Sequence, residues 1–202
     1  MKELCTMCPR GCKVARGEGE IGYCRVSNKL KVARAALHMW EEPCISGDEG
    51  SGAVFFSGCN LRCVYCQNHE ISDGKMGKEI TVDRLSKIFV ELQNKGANNI
   101  NLVTPSHYVY QIIEALELVK GQLQIPVVYN SNAYERVETL RMLEGYVDVY
   151  LPDCKYYSNE LAIRYSSAKD YYSIAIEAID EMLRQVGELF TRRSIINRKF
   201  IC

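Results

Sequence analysis

Cys59, Cys63 and Cys66 stand in the run Cys59-Asn60-Leu61-Arg62-Cys63-Val64-Tyr65-Cys66, with three residues and then two between them. That spacing packs three thiolates onto one tight loop. A cubic iron–sulfur cluster is ordinarily closed by four thiolates, so three leave one iron open to a small molecule, and chemistry is expected there. The competing readings are a structural zinc knuckle or part of a disulfide framework. A second group, Cys5, Cys8, Cys12 and Cys24, lies in Cys5-Thr6-Met7-Cys8-Pro9-Arg10-Gly11-Cys12 and Gly22-Tyr23-Cys24. Four thiolates suit one closed tetrahedral site, and zinc held this way stabilises a small fold with little core. A second iron–sulfur cluster takes the same ligands, so spacing leaves zinc and iron both open. Simple buried thiols are the remaining alternative.

These side chains must be positioned by a scaffold, and the chain supplies one with a regular beat. The cysteine loop follows the apolar run Ala53-Val54-Phe55-Phe56, a buried strand that ends at Ser57-Gly58. Thr81 is placed to cap a helix with Val82, Leu85, Ile88, Phe89 and Leu92 on one face, and Gly96 to end it. A strand is expected over 100–104, a helix carrying Ile112, Ile113, Leu116 and Val119, and a strand over 125–129. A helix over 137–143, a strand over 147–151 and helical pattern over 162–186, broken near Ser166-Ser167, complete the series. Strands joined by helices of this length pair in parallel through crossovers. Four such strands make a partial (β/α) barrel or a curved open sheet. Polar residues follow each strand, where α/β proteins place their sites: Thr104-Pro105-Ser106-His107, Asn130-Ser131-Asn132 and Asp153-Cys154-Lys155.

The chain thus divides into a cysteine-rich segment with its connector over 1–50, an α/β core over 51–187 and a tail over 188–202. The connector, Lys29 through Leu37 and then His38-Met39-Trp40, has an ambiguous period, so strand and helix both stand. Residues 46–52 carry turn chemistry and are expected to separate the segment from the core. With 25 basic and 25 acidic side chains among 202 residues, no global field favours nucleic acid or an anionic membrane. The start lacks an apolar leader and no stretch is long enough to span a bilayer, so a reduced, cytoplasmic setting is expected, in which ten cysteines read as metal ligands or thiols.

Residues 58–68 closely resemble the radical S-adenosylmethionine (radical SAM) superfamily. The resemblance extends to Leu37-His38-Met39-Trp40-Glu41-Glu42-Pro43-Cys44, to Asn101-Leu102-Val103-Thr104-Pro105-Ser106-His107-Tyr108 and to Tyr150-Leu151-Pro152-Asp153-Cys154-Lys155-Tyr156. These stretches are similar to one subgroup, the pyruvate formate-lyase activating enzyme-like proteins. The resemblance implies a [4Fe-4S] cluster on Cys59, Cys63 and Cys66, with SAM chelating the fourth iron. One electron then cleaves SAM to methionine and a 5'-deoxyadenosyl radical. It further implies that Tyr65 borders the adenine and that Asp153 and Lys155 form an Asp-x-Lys pair near SAM. The amine-binding Gly-Gly-Glu of the superfamily is absent; Thr104 or Ser106 is expected as the substitute acceptor, with Asn130 beside them. A glycyl radical enzyme is the implied partner, and flavodoxin or ferredoxin the implied electron donor.

Two features depart from the subgroup. Cys154 replaces its usual aromatic residue, and the strand–helix pattern stops near Gly187, giving way to a basic tail with Arg192, Arg193, Arg198 and Lys199. The tail reads as a truncation that lacks the next strand, leaving a parallel edge unpaired. The expected function is therefore a radical SAM enzyme that activates a glycyl radical enzyme. The alternatives are a small-molecule or other macromolecular substrate, or a truncated, non-catalytic iron–sulfur protein.

Overall fold

The computed structural model describes residues 4–187 and the backbone of residues 200–201. Its sheet carries seven strands in the order β3-β1-β2-β4-β5-β6-β7. The strands are β1 (Lys31–His38), β2 (Ser51–Phe56), β3 (Lys78–Glu79), β4 (Ile100–Val103), β5 (Val127–Ser131), β6 (Val149–Pro152) and β7 (Phe200–Ile201). From β2 through β7 every pairing is parallel, whereas β1 runs antiparallel to β2 and to β3. The sheet has two edges and is not closed, as expected of a partial barrel.

The connector thus resolves as strand. Its Val32 lies opposite Phe56 and its His38 opposite Ser51. The turn region 46–52 therefore joins neighbouring strands of one sheet rather than separating two bodies. It begins in a one-turn helix α1 (Pro43–Ser46). The tail also departs from expectation, because Phe200 and Ile201 pair with Val149 and Tyr150 and extend the parallel edge. The rest of that tail lies outside the described residues.

The crossover helices are α3 (Val82–Asn94), α4 (Val109–Leu118), α5 (Val137–Arg141), α6 (Asn159–Ser166) and α7 (Tyr171–Val186), with a short α2 (His69–Ser72) after the cysteine loop. Thr81 caps α3 by accepting the Arg84 amide at 3.1 Å. The α6–α7 break falls at Ser167, whose φ is +49°. Strand alternation sorts the core by face: Val54, Phe56, Ile100 and Leu102 pack with Leu85, Phe89 and Ile112 of α3 and α4, while Val128, Val149 and Leu151 pack with Ile45 of α1. Tyr129 and Tyr150 meet edge-on and pack with Leu140, Ala178 and Met182 of α5 and α7. The fifth strand starts two residues later than expected because Pro126 has no N–H to give a ladder; its carbonyl instead accepts the Ile100 amide at 2.9 Å. No helix among the described residues is long and apolar enough to cross a membrane.

Candidate active site

The carboxyl ends of β2, β4, β5 and β6 lie side by side, and the polar residues of their loops gather there. The cysteine loop leaves β2 through Ser57 and Gly58. The Ser57 amide donates to Lys31 O at 2.9 Å, the Gly58 amide to Ile71 O at 2.8 Å, and the Cys59 amide to Cys24 O at 3.3 Å. Gly58 has φ +91°, and a Cβ there would collide with the Cys24 carbonyl. His107 supports the same turn: its Nε2–H donates to Ser57 O at 2.8 Å. Burial and the nearby Arg16 push this imidazole down to about 3, so it stays neutral and serves the scaffold.

Leu61 anchors the middle of the loop. It is fully buried among Ala133, Tyr134, Tyr156, Ala162, Ala168 and Tyr171, with Cys59 and Cys63 packed on that cluster. Arg62 takes a left-handed φ of +53° and pairs with Asp73 at 2.9 Å. The Val64 amide donates to Tyr165 O at 2.9 Å, and a turn from the Cys66 amide to Cys63 O, 3.1 Å, brings the last two thiols round.

The Cys59 sulfur accepts three N–H groups: from Leu61 at 3.3 Å, Arg62 at 3.5 Å and the Asn132 side chain at 3.5 Å. Desolvation pushes this thiol up to about 11, a cost that a bound cation reverses. Three half-buried thiols on one loop, with N–H donors aimed at a sulfur, are the donor set and outer shell that a four-iron cluster takes. The residues therefore fit that group.

Tyr65 stands half exposed beside the loop, edge-on to Tyr156 and Tyr165 at 6.2 and 6.3 Å. Asp153 and Lys155 form an ion pair just past the end of β6. The Tyr171 hydroxyl joins this end to that of β5, donating to Asn132 O at 2.7 Å and accepting the Lys155 amide at 2.8 Å. Thr104, in a left-handed conformation, ends β4 and donates its amide to Asn130 O at 2.9 Å. Tyr65, Thr104, Asn130, Asp153 and Lys155 thus share the edge that holds the cysteine loop. Ser106 does not join them. It is fully buried and its hydroxyl donates to Glu135 Oε1 at 2.5 Å, so it is engaged beneath the site.

Glu135 and Asn60 are two residues that the sequence pattern did not single out. Burial raises the Glu135 carboxyl to about 7, against the hydroxyls of Ser106, Ser131 and Tyr129. Asn60, also buried, donates to Tyr134 O at 2.6 Å and accepts from Asn132 at 2.8 Å.

The N-terminal thiols lie in one neighbourhood. Cys12 and Cys24 sulfurs flank Gly22, 3.0 and 3.6 Å from where its Cβ would sit. Cys8 and Cys24 are buried, and desolvation pushes the Cys8 thiol up to about 12. Among the described residues, no three Cys, His, Asp or Glu side chains converge on a point that would hold a single metal ion.

Residues 53–192, a span that takes in most of β2, the cysteine loop and β3 to β6, match the sequence profile of the Radical SAM superfamily. The chain belongs to the radical SAM superfamily. Proteins of this superfamily as a class use a [4Fe-4S] cluster and SAM in radical chemistry. The chain is also similar to a protein of Methanocaldococcus jannaschii named only as uncharacterized, 35% identical over 179 residues, covering 84% of this chain and 51% of that one. A shorter stretch of 34 residues is 50% identical to pyruvate formate-lyase 1-activating enzyme of Escherichia coli K12, covering 17% of this chain and 14% of that enzyme. The chain spans about half the length of the archaeal relative.

Proposed function

We propose that this chain is the catalytic core of a radical SAM enzyme that activates a glycyl radical enzyme. Cys59, Cys63 and Cys66 are assigned to the [4Fe-4S] cluster. Held by those three thiolates, the cluster would supply the one-electron chemistry of SAM cleavage, with flavodoxin or ferredoxin as the electron donor and hydrogen-atom abstraction from a glycine Cα of the partner as the outcome. The chain's own residues orient the cofactor. Lys155 offers an ammonium to the SAM carboxylate and Asp153 accepts from its amine or ribose hydroxyls, while Thr104 and Asn130 supply further polar contacts and Tyr65 a face for the adenine. Cys5, Cys8, Cys12 and Cys24 are assigned to a second metal, zinc or iron–sulfur, whose binding would draw the four thiols together ahead of β1. The setting is a reduced, oxygen-poor cytoplasm.

The observation that carries the reading is the open rim around the cysteine loop. Val64 in the loop and Tyr157 beyond β6 are 75% and 81% exposed, apolar surface suited to receiving a protein loop. The short identity to pyruvate formate-lyase 1-activating enzyme supports the same partner class. The test mixes the reduced, reconstituted chain and SAM with a glycyl radical enzyme under anaerobic conditions. An electron paramagnetic resonance doublet from a glycyl radical is expected. SAM cleavage without that signal would instead assign a small-molecule or other macromolecular substrate.

A further inference from the structure

The cysteine loop is gripped from outside by the N-terminal segment. Arg10 lies between two of that segment's cysteines, in a turn closed by the Gly11 amide on Cys8 O at 3.0 Å. Its guanidinium stands 3.8 Å over the Tyr23 ring. Four of its N–H groups donate to main-chain carbonyls on two separate segments. Nε reaches Asn60 O at 2.7 Å and Nη2 reaches Leu61 O at 3.3 Å, both inside the cysteine loop. Nη2 also reaches Ser166 O at 2.7 Å, and Nη1 donates to Ser167 O, at the α6–α7 break.

The chemistry of those carbonyls explains why an arginine stands there. The last carbonyls of a helix have no intrahelical donor and sit at the negative end of its dipole. The loop carbonyls at Asn60 and Leu61 likewise lie outside any sheet ladder. A planar fork with five N–H groups serves both sets at once, which a lysine ammonium cannot. The grip lies one residue from a ligand sulfur: the Asn60 side chain accepts from Asn132, and the same Asn132 amide donates to Cys59.

We propose that Arg10 is a positioning residue for the cluster-binding loop, locking its main chain at Asn60 and Leu61 against the α6–α7 break. The inference rests on the radical SAM reading of residues 59–66. It gives the N-terminal segment a task at the cysteine loop, because the turn that presents Arg10 is closed by the Gly11 amide on Cys8 O.

The test compares Arg10→Ala and Arg10→Lys with Arg136→Ala. Arg136 also fastens the N-terminal segment, donating to Thr6 O at 3.1 Å, but from beside α5 rather than from the loop. Hydrogen–deuterium exchange over residues 59–66 is measured first, on the full chain before and after anaerobic reconstitution. Loss of charge-assisted hydrogen bonds predicts exchange about tenfold faster or more in Arg10→Ala, an intermediate value in Arg10→Lys and no change in Arg136→Ala. In the reconstituted chains, iron should pass to a chelator about tenfold faster from Arg10→Ala than from the native protein or Arg136→Ala. Equal acceleration by Arg10→Ala and Arg136→Ala, or none by either, would overturn the proposal. Should Arg10→Ala not fold, Arg10→Lys against Arg136→Ala decides it on the same measurements. A native chain that never cleaves SAM, with loop exchange still selectively raised in Arg10→Ala, would sink the enzymatic reading and leave the grip intact.

Discussion

Replacing Gly58 with alanine tests whether the cysteine loop is held where the geometry places it. Gly58 sits at φ +91°, and the new Cβ would meet the Cys24 carbonyl and the Val26 methyls at 3.0 and 3.1 Å. An L-residue in a left-handed conformation costs about 1–2 kcal/mol, and overpacking a filled site costs about 1–3 kcal/mol. Displacing the Cys24 carbonyl also breaks its bond from the Cys59 amide, worth about 1 kcal/mol. The expected loss is therefore about 3–6 kcal/mol, a large part of the roughly 5–15 kcal/mol that stabilises a typical domain. Urea unfolding followed by circular dichroism, on protein kept without oxygen, measures it. Gly121→Ala is the control, since nothing lies within 4 Å of its Cβ, and it should change stability by no more than about 0.5 kcal/mol. A Gly58→Ala loss below about 1 kcal/mol would show that the loop and the Cys24 strand of chain are not packed as described.

Glu135 and Asn132, polar residues packed around the cysteine loop and its neighbours, give two more measurable effects. The Glu135 carboxyl is raised from 4.5 to about 7 when folded, so only the folded chain keeps this proton between those values; stability should fall as pH rises through that window, by about 3 kcal/mol, and then level off. Glu135→Gln should flatten that slope in urea titrations at pH 5 and pH 8, and an unchanged slope would refute the assignment. Asn132→Ala removes the side-chain donor to the Cys59 sulfur, and should weaken iron retention about 10-fold or more and lower the reduction potential of the reconstituted chain, read by chelator challenge and by redox titration.

Much of this architecture was legible because local chemistry and tertiary role agree. The apolar run before Cys59, the Thr81 cap and the Ser166-Ser167 break all became a strand, a cap and a helix boundary. The connector was not legible, since β1 is only partly buried along most of its length and a strand flanked on both sides loses clean alternation. Pro126 delayed β5 for want of an amide, a local rule that the apolar run 125–129 concealed. At the site, spacing singled out the three cysteines and the family resemblance singled out Asp153 and Lys155, which the structure shows paired with each other. Asn60, Glu135 and Arg10 were not legible, because their roles depend on partners 50 or more residues away, or on burial that sequence does not display; Arg10 reaches Asn60 and Ser166 across 50 and 156 positions. Ser106 carried the right chemistry for a ligand contact, yet its buried neighbour Glu135 engages it.

The central claim is that Cys59, Cys63 and Cys66 hold a cluster competent to cleave SAM. The direct test reconstitutes the chain with iron and sulfide without oxygen, reduces it with dithionite, adds SAM and measures 5'-deoxyadenosine against Cys63→Ala. The account predicts 5'-deoxyadenosine from the native chain and none from the variant. A native chain that assembles its four-iron cluster yet releases no 5'-deoxyadenosine would contradict it.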